Sequence, residues 1–255
     1  GDSIFYKSST PHGMIAVDGQ DCVFLAMIMA SGEKEQDLSV RTRALEETPE
    51  QQLLCDQFVH GVEKEDGSLE RLEFHNEDKF NFAFDIVDGL ARREPDKLAM
   101  VHVANDMTER RFTFKDMKDA SSQAANYFTS LGVKRGDRVM LVLKRHYQFW
   151  FAILGLHKLG AIAIPATNQL MEHDFTYRFK AAGVSAIVCT ADGDTAHQVD
   201  IAEADAGVHL TKVLVGGKRE GWHDFDAEYG LFSRRYTRTA DAPCGDDPML
   251  MFFTS

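Results

Sequence analysis

Basic residues are the scarcer charge in this chain. Lys and Arg number 28 against 40 Asp and Glu, a formal net charge of −12 over 255 residues. A polyanion would be repelled by that average field, so nucleic acid is not an expected partner. A small phosphate ligand is still allowed, because one local nest of backbone N–H groups can bind it on an acidic protein. Cysteine is sparse as well. Cys22, Cys55, Cys189 and Cys244 are widely and irregularly spaced, which matches no C-x-x-C metal or redox pattern. Cys22 and Cys189 lie in apolar runs and are expected in a core, and reduced thiols suit a cytoplasmic protein. Long apolar runs are missing. The longest, from Cys22 to Ala30, is far too short to span a bilayer. Gly1-Asp2-Ser3 has no basic region leading into an apolar stretch, so no secretory leader is expected.

What is present suffices for a packed interior: 44% of the residues are hydrophobic and 18 are Phe. The chain divides into two regions of different character, residues 1–75 and 76–255. In the first, Ile4–Tyr6, Met14–Val17 and Val23–Met29 are short apolar runs separated by turn residues, as in hairpins. Thr48-Pro49-Glu50-Gln51 has the form of a helix start, with Thr48 at the cap and Pro49 at the first helical position. A helix to Val59 follows, then a charged loop over Gly61–Gly67. This small α+β segment carries no chemical constellation, and His12 and His60 are expected to face solvent.

From about Phe80 the pattern changes to alternating helices and strands. Asp85–Arg93 is amphipathic and Glu94-Pro95-Asp96 ends it. Leu98–Val103 and Arg110–Phe114 form a hairpin across Asn105-Asp106. Thr113 caps a helix whose apolar positions recur to Leu131, where Gly132 stops it. Strands are expected at Val139–Leu143, Ala161–Ile164, Ser185–Cys189, Val213–Val215 and Met249–Phe253. Helices are expected at Tyr147–Leu159, Asp174–Ala182 and Thr195–Ala204. Continuous apolar strands separated by crossover helices imply a doubly wound, mostly parallel α/β sheet covered on both faces.

Several of these stretches resemble the adenylate-forming (AMP-binding) superfamily, in its acetyl- and medium-chain acyl-CoA synthetase branch. They are Phe80–Asp88, Arg111-Phe112-Thr113-Phe114, Leu131–Val139, Lys144-Arg145 through Phe149-Trp150-Phe151 to Thr167, Val215-Gly216-Gly217 and Gly221-Trp222. Phe252-Phe253-Thr254-Ser255 stands where such enzymes begin a Ser/Thr/Gly-rich phosphate loop ending in lysine. The resemblance runs in order over residues 78–255. It implies a protein that joins a carboxylic acid to ATP as an acyl-adenylate and then to CoA as a thioester, with Mg²⁺ required. It also implies that the loop's glycines and lysine and the catalytic lysine lie outside these 255 residues, so that the chain alone is inactive. The alternative is a non-catalytic module that binds a nucleotide or a partner. A generic flavodoxin-like binder is the weaker reading, because no glycine-rich loop follows the first parallel strand.

Two candidate ligand positions follow. Thr254 and Ser255 open the phosphate loop at the end of a parallel strand, where open α/β sheets bind ligands. Without the upstream resemblance, Thr-Ser after an apolar strand would read as a turn. Thr167 and Asn168 follow another strand on the same side and form a polar loop there. No catalytic or metal-ligating residue is assigned. Lys144-Arg145-His146 reads as a solvated basic turn at a helix start. Tyr147, Phe149, Trp150 and Phe151 read as core, and His157 as a satisfied helical histidine. Asp192-Gly193-Asp194 reads as a turn and cap rather than part of a calcium loop. Asp224, Asp226 and Glu228 read as an acidic helix start.

Overall fold

The computed structural model describes residues 54–253. The expected hairpins over 4–29, the helix start at Thr48, Cys22, His12 and the loop residues Thr254 and Ser255 lie outside them. Leu54–Gln57 is a short 3₁₀ turn, and Val59 already belongs to a strand, so the expected helix does not extend to it. Val59–Glu63 (β1) pairs antiparallel with Leu69–Phe74 (β2), which narrows the expected charged loop to the residues between them. The β1 sequence Val-His-Gly-Val-Glu carries no clear strand alternation, and it is the register with β2 that makes it half of a hairpin. Phe58 anchors the hairpin by packing on Phe80, ring centroids 5.0 Å apart.

Ala83–Val87 winds as a π turn and leads into helix α1, Asp88–Arg93. Leu98–Val103 (β3) and Glu109–Thr113 (β4) form the second antiparallel hairpin. Thr113 then starts α2, Phe114–Ser130, through a full capping box with Asp116. The Asp116 N–H donates to Thr113 Oγ1 at 3.2 Å, and the Thr113 N–H donates to Asp116 Oδ2 at 2.9 Å. Such a cap stabilises a helix by about 1 kcal/mol.

The central sheet is parallel throughout, in the order β6-β5-β7-β8-β9. Its strands are Arg138–Val142 (β5), Ile162–Pro165 (β6), Val184–Thr190 (β7), Thr211–Val215 (β8) and the two-residue His223–Asp224 (β9). The crossovers are helices α3 (Gln148–Leu159), α4 (Glu172–Ala182) and α5 (Thr195–Ala206). A short α6, Phe225–Glu228, follows β9. Alternation along the strands sends side chains to two separate cores. Val139, Leu141, Ala163, Val188 and Val213 pack with Phe128, Phe151 and Leu156 of α2 and α3. Met140, Val142, Ile164, Ile187, Cys189 and Leu214 pack with Phe175, Phe179 and Val199 of α4 and α5. Phe175 and Phe179 are fully buried, each contributing roughly 2–3 kcal/mol of burial. The doubly wound parallel sheet is therefore present. Cys189 is buried as expected, and burial pushes its thiol up to about 12.

Between α1, α2 and α3 the core contains an ion pair that the sequence pattern did not reveal. Lys158 of α3 is completely buried, and its Nζ donates to Asp88 Oδ1, to Ser122 Oγ at 3.0 Å and to the Lys118 carbonyl at 3.3 Å. Burial acts against both charges, lowering the lysine and raising the carboxyl, while each partner holds the other ionised.

β9 lies at one sheet edge and β6 at the other, so residues 232–248 carry the chain back across the molecule. This return segment is fastened along its length. Asn126 Nδ2 donates to the Ser233 and Arg235 carbonyls. Tyr236 stacks on Phe84, ring centroids 6.5 Å apart, and Arg135 holds both Asp247 carboxylate oxygens at 2.6 Å. Asn81 Nδ2 donates to the Pro243 and His157 carbonyls, both at 3.1 Å.

The chain then joins the sheet beside β6, but more briefly than expected. Instead of a strand over Met249–Phe253 there is a single parallel bridge, Ala163 to Leu250. The Ala163 N–H donates to the Met249 carbonyl at 3.1 Å and the Met251 N–H to the Ala163 carbonyl at 2.9 Å. β6 itself is only four residues long and ends at Pro165, which has no N–H to extend a ladder.

Candidate functional site at the carboxyl edge of the sheet

Because the strands are parallel, every strand end delivers its loop to one edge. That edge carries Lys144, Arg145 and His146 after β5, Thr167 and Asn168 after β6, Asp192 after β7, Gly216 after β8, and Phe253 after the Leu250 bridge. The strand order reverses between β5 and β7, since β6 follows β5 on one side and β7 on the other. Doubly wound sheets bind ligands at such a switch point.

Here the switch point is bridged by protein. His146 Nε2 and Thr190 Oγ1 are hydrogen bonded across it at 2.8 Å. Lys144 Nζ stands 3.7 Å from Asp192 Oδ2. Burial lowers the His146 pKa, opposed by the Asp192 and Asp226 carboxylates. Further along, the Gln148 amide donates to Asp226 Oδ1 at 2.7 Å, and Asp226 Oδ2 accepts from the Gly216 N–H at 2.9 Å. His146 is thus more than part of a solvated turn, although Lys144 and Arg145 are exposed. The acidic start of α6 is as expected, with the Asp224 carboxylate accepting from the Ala227 N–H.

The β6 end of the edge is open by contrast. Thr167 is exposed, and its hydroxyl accepts from the Gln169 N–H at 3.3 Å. The Asn168 carbonyl accepts from Thr195 Oγ1 at 3.4 Å, and its half-buried side-chain amide makes no hydrogen bond among the described residues. Phe253 reaches the same end, where its ring meets Tyr177 and Arg178 of α4.

Three neighbouring expectations need correction. Phe151 is core and Tyr147 and Phe149 pack against it, but Trp150 is 50% exposed, because successive residues on a helix point in different directions. His157 is not satisfied: both ring nitrogens are buried without a hydrogen-bond partner among the described residues, and burial lowers its pKa to about 4. Asp194 occupies the cap position of α5, yet its side chain makes no cap bond, accepting instead from Gln198 at 2.6 Å.

The AMP-binding enzyme family matches residues 88–255, which include the sheet and this edge. The chain belongs to that family. The chain is 34% identical over 157 residues to the acyl-coenzyme A synthetase ACSM2, mitochondrial, of Rattus norvegicus, covering 58% of this chain and 27% of that protein. It is 34% identical over 187 residues to ACSM5, mitochondrial, of the same species, covering 69% and 31%. The crystal structure of a Brucella canis acyl-CoA synthetase superposes with a TM-score of 0.59 at 23% identity, over 71% of this chain and 32% of that one; it shares the fold. The chain therefore spans under a third of the length of these relatives. Among the described residues no helix is long and apolar enough to cross a membrane.

Proposed function

We propose that this chain supplies the first α/β layer and one wall of the nucleotide site of an ATP-dependent acyl-CoA synthetase. In that reaction a carboxylate oxygen attacks the α-phosphorus of ATP, forming the acyl-adenylate and releasing pyrophosphate. The CoA thiol then attacks the acyl carbon, forming the thioester, releasing AMP and giving up the thiol proton. The observation that carries the reading is the family match over residues 88–255 on a parallel sheet whose open edge lies at β6.

The register supports the assignment of Thr254 and Ser255 to a phosphate-binding loop. Leu250 pairs with Ala163 in parallel, so Thr254 follows its bridge residue by the same number of positions as Thr167 follows Ala163. Hydroxyls from the two segments and the Asn168 amide would then face one ligand, donating to phosphate or ribose oxygens. The exposed Lys144 and Arg145 add positive potential on that edge. Among the described residues no three His, Cys, Asp or Glu side chains are grouped to hold a metal, so Mg²⁺ is assigned no ligand in them; when bound it would offset phosphate charge. Acetate to medium-chain or aryl acids are the proposed substrates.

A boundary near residue 75, where the sequence changes character, belongs to the same proposal, with the Phe58 ring packing on Phe80 across it. The free thiols of Cys189 and Cys244 suit a reducing compartment, the cytoplasm among them.

The test is carboxylate-dependent exchange of pyrophosphate into ATP by the full gene product carrying this sequence, assayed over a panel of acids with and without CoA. Exchange with at least one acid, and thioester on adding CoA, is expected. Absence of exchange with every acid, in a protein shown to be folded, would leave the non-catalytic binding module as the answer. The 255-residue chain expressed alone should release no pyrophosphate.

A further inference from the structure

The last segment enters the ligand edge with little backbone support. Among the described residues its one ladder contact is at Leu250, and no backbone pairing fixes Phe252 or Phe253. Side chains hold the segment there instead. The Tyr177 ring meets Phe253 edge-on, with centroids 6.0 Å apart and planes at 70°. The Arg178 guanidinium lies over the same ring, 5.2 Å from its centroid. Edge-to-face and cation–π geometry both exploit the negative face and positive rim of an aromatic ring.

The two α4 residues are themselves firmly placed. Phe175 and Phe179 plant the helix in the core, fully buried. Arg178 Nη1 donates to the Asp174 carbonyl at 3.2 Å and approaches Asp174 Oδ1 at 3.4 Å. Asp174 Oδ2 in turn accepts from the Met171 N–H at 3.1 Å at the start of α4. That start follows the Thr167–Asn168 loop by three residues, so the helix that meets Phe253 also begins beside this loop in the sequence. Tyr177 is 64% exposed, and among the described residues its ring partner is Phe253.

We propose that Tyr177 and Arg178 are positioning residues that clamp the Phe253 ring at the nucleotide edge. The inference rests on the nucleotide role proposed above, but the clamp can be tested apart from it. In the full gene product, Phe253→Leu and Arg178→Met should each raise the KM for ATP about five- to tenfold. The KM for the carboxylate and the melting temperature should change little. Arg178→Lys, which keeps a cation over the ring, should recover part of the loss. The double variant Arg178→Met/Phe253→Leu should be no worse than the poorer single variant, because both remove one contact. Unchanged KM for ATP, or fully additive losses, would overturn the clamp.

If the wild-type protein catalyses no exchange, the nucleotide reading fails and hydrogen exchange decides the clamp. The Met251 amide, which donates to the Ala163 carbonyl, should then exchange about five- to tenfold faster in Arg178→Met than in wild type; equal rates would refute it.

Discussion

Lys158 Nζ lies 2.9 Å from Asp88 Oδ1, with the lysine side chain fully buried and the aspartate 6% exposed. The pair joins α3 to α1, and Ser122 and the Lys118 carbonyl bring in α2. Two charges out of water are tolerable only together. Lys158→Met should therefore lower unfolding stability by about 3–5 kcal/mol, because Asp88 is left buried and unpaired. The double variant Lys158→Met/Asp88→Leu should regain most of that loss. Denaturant melts of wild type, both single variants and the double variant close the cycle; equal and additive losses would show that the pair is not coupled.

The buried imidazole of His157, without a hydrogen-bond partner among the described residues, should make the fold acid-sensitive. Its folded pKa, about 4, lies below the ordinary histidine value, so the unfolded chain binds the proton more readily. Its contribution is fully present above pH 6.5, falls as pH drops towards 4 and levels off below that. The whole effect is about 3 kcal/mol. His157→Leu removes the titrating group and two orphaned polar atoms. It should match or exceed wild-type stability at pH 5 and flatten the pH dependence over this window, measured by chemical denaturation at half-unit intervals.

At Gly155, α3 lies close against the backbone of α2. A β-carbon there would meet Ala124 Cβ and the Ala125 nitrogen, both at 2.9 Å, and the Ser121 carbonyl oxygen at 3.1 Å. Backbone atoms cannot rotate away. Gly155→Ala should cost about 1–3 kcal/mol despite alanine's better helix propensity. A raised melting temperature in a thermal scan would show that the helices can separate without loss.

Asn168→Ala should raise the KM for ATP about two- to tenfold, the range for one lost hydrogen bond. Trp150→Ala, on an exposed position away from that loop, should leave it unchanged. A similar rise in both variants would point to general destabilisation, and no rise in Asn168→Ala would remove this residue from the nucleotide edge.

Most of the architecture was legible because it depends on local pattern. The capping residue Thr113, the stop at Gly132 and the apolar strands β5, β7 and β8 are set by nearest-neighbour chemistry, and the structure places each within a residue or two of expectation. What escaped depends on contacts between residues distant in sequence. Val59 reads as the end of a helix and Gly61–Gly67 as a charged loop, and only the register with β2 makes Val59–Glu63 a strand. Lys158 reads as one more basic residue near a helix C-terminus until Asp88 is brought beside it. His157 looks like an ordinary helical histidine, since no local signal reports that both nitrogens are buried without a hydrogen-bond partner among the described residues. The site was legible to the same degree. Parallel strand ends located the edge and its loops, but the His146–Thr190 bridge that closes the switch point joins two separate crossover units.

The return segment 232–248 has a consequence for the order of assembly. Asn81 and Pro243 are 162 positions apart, and Arg135 meets Asp247 across 112. Contacts so far apart in sequence form slowly and need both partners already in place. The sheet and its crossover helices close through shorter loops, so the Leu250 bridge should be among the last native contacts to appear. Pulse-labelled hydrogen exchange during refolding should find the Met251 amide protected after those of β5 and β7. Nucleotide affinity would then report completed folding: a chain with its sheet formed but its return segment loose would have a core and no binding edge.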